Sequence, residues 1–373
     1  MSGVFFVADA TDRQFMAQAL ALAQRARGRT SPNPMVGAVI VRRGRVVAEG
    51  YHRGKGFPHA EVVALRKAGR KARGATLYVN LEPCCHTGCT GPCTEALVEA
   101  GVVRIVYSSI DPNPMVRGKG DSRLREAGIA VERGLLREEA EKLNEAYYAY
   151  HRHGRPFVTL KMAQTIDGRI ATGTGDSQWI SGPLSLKLAH QLRAENDAVM
   201  VGAGTVRADN PALTVRLVKG RNPFRVVVAG RGLINPECQI VRKNADHRTI
   251  VAAVPEKAAR LARLARNSGL TIWEIKPDRD SRPDPIDLME KAGAFGLQSI
   301  LVEGGAALAT SLLKAGLVDK IILVIAPTIV GEGKSSIGDL GIRKLNKAIQ
   351  LESITIDRSG RDLVVAGYPR YSK

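Results

Sequence analysis

The chain has 373 residues, of which 55 are Lys or Arg and 36 are Asp or Glu, so its formal charge is +19. This length exceeds what one ordinary hydrophobic core supports, and we expect two domains, 1–150 and 151–373. With 44% hydrophobic residues and no apolar run of about eighteen residues, the composition predicts a globular protein without a membrane-spanning helix.

The first residues of the chain and the distribution of its charge indicate where the protein acts and what class of molecule it binds. Residues 1–6 lack the basic and apolar regions of a signal peptide, so we expect a cytoplasmic protein with reduced cysteines. The positive charge is spread over both halves, and only 5% of the residues are aromatic, whereas a nucleic-acid-binding surface clusters basic residues among aromatic ones. We therefore expect a phosphate-bearing small molecule as the partner, and neither nucleic acid nor membrane.

Hydrophobic periodicity in the first half predicts a compact α/β layer. We expect helices at 12–27, 59–72, 93–100 and 138–150, and strands at 36–41, 46–49, 75–80 and 102–107. Two rigid polar loops, 31–34 and 111–114, interrupt this pattern with prolines. The basic segment 151–156, which contains Gly and Pro, is typical of a domain boundary.

A cluster of histidine, glutamate and cysteine lies between these elements. His59 and Glu61 stand two residues apart, and four of the five cysteines follow within ten residues of one another, at positions 84, 85, 89 and 93. The pattern is close to the His-x-Glu and Pro-Cys signature of zinc nucleobase deaminases, in which the glutamate transfers protons and is not a ligand. A catalytic zinc keeps one position open for water, whose pKa it lowers.

Several interpretations of this cluster remain open at this point. Any two of the four cysteines satisfy the chemistry of zinc binding, because the usual Cys-x-x-Cys spacing is absent. A closed structural zinc site or a disulfide is also possible. A closed structural site has no use for Glu61 beside its histidine, which favours the catalytic interpretation.

The second half alternates predicted strands with helices, which favours a mostly parallel sheet covered on both faces. We expect strands at 157–163, 197–201, 225–229, 249–253, 299–302 and 320–326. The Gly-x-Gly-x-x-Gly fingerprint of dinucleotide-binding domains is absent, because Arg207 follows the segment Gly202–Thr205. The segment Val302–Gly305 has two interpretations. Either its glycines let a phosphate approach the N-terminus of a helix that begins at about Ala307, or the segment is an ordinary turn between a strand and that helix.

Five motifs of the first half together resemble the bifunctional deaminase/reductase family of riboflavin biosynthesis. They are Pro32–Pro34, His59–Glu61, Leu81–Cys84, Thr90–Cys93 and Asp111–Pro114. The resemblance implies a cytidine-deaminase-like domain with one zinc ion per chain. It also implies that His59, Cys84 and Cys93 bind zinc, that Glu61 transfers protons, and that Asn33, His52, Asp111 and Asn113 surround the pyrimidine and its ribose phosphate.

The second half resembles the reductase domain of the same family, which is similar to dihydrofolate reductase and uses NADPH. The resemblance is carried by Leu160–Ala163, Asp167–Ala171, Gly175–Ile180, Gly204–Thr205, Asp209–Pro211 and Glu303–Gly305. It implies that Lys161 is catalytic and that the NADPH site comprises Ala163, Trp179, Thr205, Asp209, Gly305, Ala306 and Ala307. It further implies that the substrate contacts Ser177, Arg193, Leu213, Arg216 and Glu303.

The chain departs from the family pattern at several places, of which Thr165, where Ser is commoner, is the mildest. Cys85 stands where a small residue such as Ser is usual, and Cys89 stands where Lys or Arg is usual and meets the substrate phosphate. Either a nearby Lys or Arg replaces that cation, or Cys89 takes part in metal chemistry. Ala229–Gly230 replaces an Asp-Thr or Asp-Ser pair at the edge of the expected NADPH site.

The predicted function is therefore deamination of a diaminopyrimidine ribosylamine phosphate followed by reduction of its ribosyl group, in a homo-oligomer of two or four chains. The main alternative is an RNA or nucleoside deaminase with a C-terminal nucleic-acid-binding domain. A third interpretation, a non-enzymatic zinc scaffold, leaves Glu61 unexplained.

Overall fold

The computed structural model describes residues 10–87, 91–230 and 234–372. The chain divides into two compact units, and the boundary lies between His153 and Gly154. Within the described ranges, no helix is long and apolar enough to cross a membrane. Each unit is built around its own β-sheet, with helices packed against it.

The N-terminal unit contains six helices and five strands among its described residues. The helices are α1 (Ala10–Gln24), α2 (Ala60–Ala68), α3 (Cys93–Glu99), α4 (Lys119–Glu126), α5 (Arg137–Leu143) and α6 (Glu145–His153). The strands are β1 (Gly37–Arg42), β2 (Arg45–Tyr51), β3 (Thr76–Leu81), β4 (Arg104–Ser109) and β5 (Ala130–Arg133). A short 3-10 helix, Gly69–Ala72, extends α2.

The five strands form one mixed sheet in the order β2-β1-β3-β4-β5. Strand β1 is antiparallel to β2 and β3, whereas β3, β4 and β5 are parallel. Alternate residues of β1 face opposite ways: Val39 and Val41 join the cluster that contains α1, whereas Ala38 and Ile40 join the cluster that contains α2. Helices therefore cover both faces of this sheet.

Glycines allow both helices to approach the sheet closely. A Cβ atom at Gly37 would lie 2.1 Å from the carbonyl oxygen of Ala19 in α1. A Cβ atom at Gly50 would likewise lie 2.3 Å from the carbonyl oxygen of Ala60 in α2. The helix α2, which begins directly after His59, is thus seated against backbone at Gly50.

One predicted helix of this unit is wrong in detail. The segment 138–150 is not one helix, because α5 ends at Leu143 and α6 begins at Glu145. The intervening Asn144 pairs with the backbone of Met35: its Oδ1 accepts from Met35 N at 2.8 Å, and its Nδ2 donates to Met35 O at 2.9 Å. Helix α4 and strand β5 were also missing from the prediction.

The C-terminal unit contains eleven strands and six helices among its described residues. The strands are β6 (Phe157–Thr165), β7 (Arg169–Thr172), β8 (Ala198–Gly202), β9 (Phe224–Ala229), β10 (Thr249–Ala253), β11 (Thr271–Glu274), β12 (Ser299–Glu303), β13 (Lys320–Ala326), β14 (Gly333–Ser335), β15 (Gln350–Ser359) and β16 (Asp362–Arg370). The helices are α7 (Pro183–Glu195), α8 (Ala203–Asp209), α9 (Gln239–Arg242), α10 (Pro255–Ser268), α11 (Pro285–Ala294) and α12 (Ala306–Lys314), with a 3-10 turn at Leu345–Lys347.

Nine of these strands form one sheet in the order β11-β10-β9-β8-β12-β6-β13-β16-β15. The first seven strands in this order, which run from β11 to β13 across the sheet, are parallel to one another. Strands β16 and β15 add an antiparallel hairpin at one edge. The predicted parallel sheet is confirmed. The prediction omitted the edge hairpin, because β15 is exposed along most of its length and lacks a clear apolar alternation.

Candidate active sites

Three potential metal ligands converge in the N-terminal unit. His59 occupies the N-cap position of α2, Cys84 lies in the loop after β3, and Cys93 is the first residue of α3. The His59 Nδ1 atom lies 3.2 Å from Cys93 Sγ and 3.4 Å from Cys84 Sγ. All three ligand atoms lie within 4.8 Å of one another. One imidazole and two thiolates form a donor set that fits zinc and leaves a fourth position for water.

The motif contains two further cysteines, Cys85 and Cys89. Cys85 is half-buried and is not a member of the three-residue group. Cys89 lies outside the described residues. The cysteines at 84, 85, 93 and 238 are all free, so none of these four forms a disulfide. A hydrogen bond from Cys93 is the largest cause that lowers the pKa of Cys84, which favours its thiolate form.

Glu61 is buried in the first turn of α2, where only 4% of its surface is exposed. Burial, and then the charge of Cys84, raise the pKa of its carboxyl group to about 6. A carboxyl group with a pKa near the working pH exchanges protons readily in both directions. This environment suits a proton carrier beside the metal ligands.

A cavity of about 220 Å³ connects these residues with the predicted substrate contacts. Its lining includes Asn33, His52, Glu61, Asp111 and Asn113, so the structure brings all four of the predicted pyrimidine and ribose contacts into one cavity with Glu61. The side chain of His52 is held from two sides: Asn33 Nδ2 lies 3.0 Å from its Nε2, and Pro58 O lies 3.1 Å from its Nδ1.

Asp111 is embedded in a network that sequence reasoning missed. Its Oδ1 accepts hydrogen bonds from Tyr147 OH and from Asn113 N, both at 2.9 Å. Burial nevertheless raises the pKa of Asp111 to about 6. Tyr147 also lines the cavity, and it reaches Asp111 from α6, which is 36 residues further along the chain. An aromatic residue in a predicted helix carried no signal that could have revealed this contact.

Glu82 is the second residue of this site that was missed. It is buried, and its carboxylate accepts from the backbone N–H groups of Asp111 at 3.3 Å, Gly118 at 3.0 Å and Asp121 at 3.2 Å. These bonds tie the loop after β4 and the first turn of α4 to the loop after β3, which carries Cys84. Glu82 was visible in the motif Leu81–Cys84, but its three backbone partners were not.

In the C-terminal unit, Lys161 and Glu303 are neighbours in the sheet. They are paired in register on the parallel strands β6 and β12. The guanidinium of Arg193 grips the Glu303 carboxylate with two hydrogen bonds, one of which joins Nε and Oε1 at 2.9 Å, and both side chains are largely buried. Burial is the main cause that lowers the pKa of Lys161.

The remaining predicted substrate residues of this unit lie around that group or in a nearby loop. Arg216 N donates to His190 Nδ1 at 2.9 Å, and Thr214 O accepts from Arg193 Nη1 at 3.3 Å, so the segment with buried Leu213 is tied to α7. His190 was not predicted. Ser177 and Trp179 lie between β7 and α7.

The turn after β12 forms a backbone cradle. Gly304 and Gly305 have φ values of 66° and 80°, in the left-handed region that favours glycine. A Cβ atom at Gly305 would lie 2.9 Å from Thr205 Oγ1, and α12 begins at Ala306 and Ala307. Glycine backbone at the N-terminus of a helix of nine residues, beside a hydroxyl group, fits the phosphates of a dinucleotide.

The other predicted cofactor residues lie on separate elements of the C-terminal unit. Asp209 ends α8, which also carries Thr205, and burial raises the pKa of its carboxyl group. Ala163 lies on β6, two residues beyond Lys161, and 68% of the surface of Trp179 is exposed. Ala229 ends β9, and Gly230 follows it.

Two family models together match most of the chain. Residues 9–109 match the zinc-binding region of cytidine and deoxycytidylate deaminases, and residues 156–365 match the RibD C-terminal domain. The second match covers more than half of the chain. The chain belongs to the RibD family.

Curated RibD proteins are similar over nearly their whole length. The riboflavin biosynthesis protein RibD of Aquifex aeolicus is 43% identical over 360 residues, which cover 95% of this chain and 97% of that protein. The Escherichia coli protein of the same name is 42% identical over 366 residues, with 94% and 98% covered. Both predicted domains of the family are therefore present in one chain.

Solved structures of the family have the same fold. Acinetobacter baumannii RibD is 35% identical and superposes with a TM-score of 0.87, covering 96% of this chain and 99% of that one. The diaminohydroxyphosphoribosylaminopyrimidine deaminase/5-amino-6-(5-phosphoribosylamino)uracil reductase of Thermotoga maritima is 36% identical, with a TM-score of 0.82 and the same coverage. The predicted fold class and family resemblance are confirmed.

The convergence of His59, Cys84 and Cys93 predicts which thiols hold the metal. We expect Cys84→Ser and Cys93→Ser to lose most of the bound zinc, because each removes one of three ligands. Cys85→Ser is the matched control and should retain one zinc per chain. Metal analysis of the purified variants decides the matter; loss of zinc from Cys85→Ser alone would contradict the assignment.

The ion pair between Arg193 and Glu303 predicts a pH-dependent stability. Burial opposes ionisation of Glu303, but Arg193 outweighs it and lowers the carboxyl pKa below its ordinary value. Such a group stabilises the fold above its ordinary pKa, and the contribution is lost as the pH falls through the folded-state pKa. Arg193→Met should therefore lower the free energy of unfolding by about 3 kcal/mol at neutral pH, and by less towards pH 4.

Urea denaturation followed by tryptophan fluorescence measures this loss, since both tryptophans, 179 and 273, belong to the C-terminal unit. The control is the double variant Arg193→Met/Glu303→Met, which removes the carboxylate together with its guanidinium partner and leaves Lys161 as the remaining charge of the group. It should regain much of the lost stability. A double variant no more stable than Arg193→Met would show that the unpaired carboxylate is not the cause.

Proposed function

We propose that this chain catalyses two successive steps of riboflavin biosynthesis. The first is hydrolytic deamination of 2,5-diamino-6-(5-phosphoribosylamino)pyrimidin-4-one. The second is NADPH-dependent reduction of the ribosyl group to ribityl, which gives 5-amino-6-(5-phosphoribitylamino)uracil. The observation that carries the proposal is the convergence of His59, Cys84 and Cys93 with buried Glu61 in one cavity, in a chain that also contains the RibD C-terminal domain.

For the deamination, we assign zinc to His59, Cys84 and Cys93. When bound, zinc lowers the pKa of water and so supplies a nucleophile at neutral pH. The carboxylate of Glu61 takes up the proton released from water and delivers it to the departing amino nitrogen, which leaves as ammonia. Its burial in the first turn of α2, in the same cavity as His59 and Cys84, supports this role.

The other cavity residues would hold and orient the pyrimidine and ribose. Asn33 and His52 support each other through their 3.0 Å contact, so their polar atoms are pre-positioned. Asn113 and Asp111 stand on the loop that Glu82 and Tyr147 hold in place. We therefore propose that Glu82 and Tyr147 position the site without touching the substrate. The residues that bind the substrate are Asn33, His52, Asp111 and Asn113.

For the reduction, NADPH would supply a hydride to the anomeric carbon of the sugar. As that C–H bond forms, the bond between the anomeric carbon and the ring oxygen breaks, and the oxygen takes up a proton from solvent to become a hydroxyl group of the ribityl chain. The cradle of Gly305, Ala306 and Ala307 beside Thr205 would hold its phosphates, with Ala163, Trp179 and Asp209 as further contacts. We propose that Lys161 and Glu303 orient the sugar, since they are adjacent in the sheet. Ser177, Arg193, Leu213 and Arg216 complete the proposed substrate site.

Arg193 has a specific part in this arrangement. Its two hydrogen bonds to Glu303 keep that buried carboxylate ionised and fix its orientation. The guanidinium edge that remains faces Thr214 O at 3.3 Å. Arg216 is exposed and donates from Nη1 to Thr214 Oγ1 at 2.8 Å, which leaves guanidinium N–H groups for a sugar phosphate.

The alternative of an RNA or nucleoside deaminase with a nucleic-acid-binding domain is not favoured. The C-terminal residues 156–365 match the RibD C-terminal domain instead. The same match argues against a non-enzymatic zinc scaffold. The substrate is a small molecule, as in the RibD family.

Location and assembly remain predictions. Free thiols at all four described cysteines support a reducing, cytoplasmic setting. We also expect two or four chains per assembly, which size-exclusion chromatography with light scattering would determine.

Glu61→Gln separates the two reactions and tests the proposed function. With the diaminopyrimidine phosphate and NADPH, wild-type protein should release ammonia and then oxidise NADPH. The variant should lose at least about 100-fold in ammonia release, because it lacks the proton carrier. It should still oxidise NADPH when supplied with the deaminated intermediate. Zinc-loaded wild-type protein that releases no ammonia and oxidises no NADPH would contradict the proposal.

A further inference from the structure

A short loop at the rim of the deaminase cavity carries Lys55, which has no part in the function proposed above. The loop joins His52 to His59, both of which line the cavity. Its beginning is anchored where His52 N donates to Val36 O at 2.9 Å, and its end is anchored where Pro58 O meets the His52 ring at 3.1 Å. The loop between these anchors therefore has a fixed base.

Backbone geometry presents Lys55 at the tip of this loop. Phe57 N donates to Gly54 O at 3.1 Å, which closes a β-turn with Lys55 and Gly56 at its centre. Gly56 has a φ of 84°, the value that the third residue of a type II turn requires. A Cβ atom at Gly54 would lie 2.7 Å from Arg29 O, so the turn is packed closely against the preceding loop.

The charges around the cavity are strongly uneven. Three carboxyl groups line it, those of Glu61, Glu82 and Asp111, and all three are buried. Lys55 is exposed, lines the same cavity, and is its one Lys or Arg among the described lining residues. No carboxylate of the described residues pairs with it. The cation at the rim is therefore available to a ligand.

The loop that carries the metal-binding cysteines supplies no cation of its own. Residues 83–92 contain neither Lys nor Arg, and position 89 is a cysteine. A substrate with a phosphate at one end and a pyrimidine at the other must keep its dianion away from the buried carboxyl groups. The exposed rim beside Lys55 is the place where the charge of the cavity reverses.

We propose that the ammonium group of Lys55 binds the phosphate of the deaminase substrate. The proposal rests on the proposed function, because it assigns the phosphate end of that substrate to the rim of the cavity. A lysine ammonium binds phosphate as a point charge with three donors. Lys55 thus fixes which end of the substrate stays at the rim while the pyrimidine faces Glu61.

Arg53 provides a matched control. It is an exposed cation two residues from Lys55 in the same loop, but it does not line the cavity. Lys55→Ala and Arg53→Ala therefore change the net charge equally. Lys55→Arg keeps the charge at the rim. Each variant is compared with wild type as zinc-loaded full-length protein, by ammonia release from the substrate and from its dephosphorylated counterpart.

We expect Lys55→Ala to raise KM for the phosphorylated substrate about tenfold or more, with kcat little changed, because the lost contact is equally strong in the ground and transition states. The dephosphorylated substrate should show no such difference between Lys55→Ala and wild type. Arg53→Ala should behave as wild type, and Lys55→Arg should retain most of the affinity. Higher ionic strength should raise KM in wild type more than in Lys55→Ala.

Two results would overturn the assignment. The first is that Lys55→Ala changes KM equally for the phosphorylated and dephosphorylated substrates, or changes KM for neither. The second is that Arg53→Ala raises KM for the phosphorylated substrate as much as Lys55→Ala does. Failure of the proposed function is distinguishable, because wild type would then release ammonia from neither substrate. In that case, equilibrium binding of ribose 5-phosphate is compared between Arg216→Ala and Arg216→Ala/Lys55→Ala proteins, which both lack the phosphate contact proposed for the C-terminal unit, and equal affinities contradict the assignment.

Discussion

The N-terminal active site depends on the close seating of α2 against the sheet at Gly50. That contact, in which a Cβ atom would lie 2.3 Å from Ala60 O, sets the position of the helix start. His59 immediately precedes the helix and Glu61 occupies its first turn, so both side chains are fixed by the same backbone contact. Cys84 and Cys93 then need only the loop after β3 and the start of α3 to complete the group of three ligands.

Each unit contains a buried glutamate, but the pKa of the carboxyl group is shifted in opposite directions in the two units. Among the described residues no guanidinium pairs with Glu61, and burial raises the pKa of its carboxyl group. Glu303 is gripped by Arg193, and its pKa is lowered, so it stays ionised and fixed in orientation. A hydrolytic deamination needs proton transfer, whereas a hydride transfer to a sugar needs a rigid, charged binding site.

Local motifs predicted more than long-range contacts did. The spacing of His59, Glu61 and the cysteines indicated a zinc deaminase because the chemistry is carried by short stretches of chain. Spacing alone could not choose Cys84 and Cys93 over Cys85, because the choice depends on where the loop turns; the family resemblance implied these two, and the structure groups them with His59. Tyr147, Glu82 and His190 were missed for the same reason, since their partners lie 26 or more residues away or are backbone groups. The edge hairpin of β15 and β16 lacked the apolar alternation that marks a half-buried strand.

We propose that one chain holds a deaminase site that depends on zinc and a reductase site that does not. The most direct measurement removes zinc from the wild-type protein with a chelator and follows both half-reactions. The account predicts that ammonia release is lost and returns when zinc is restored, while NADPH oxidation with the deaminated intermediate is unchanged throughout. Ammonia release that survives complete zinc removal, or loss of NADPH oxidation in parallel with the metal, would contradict it.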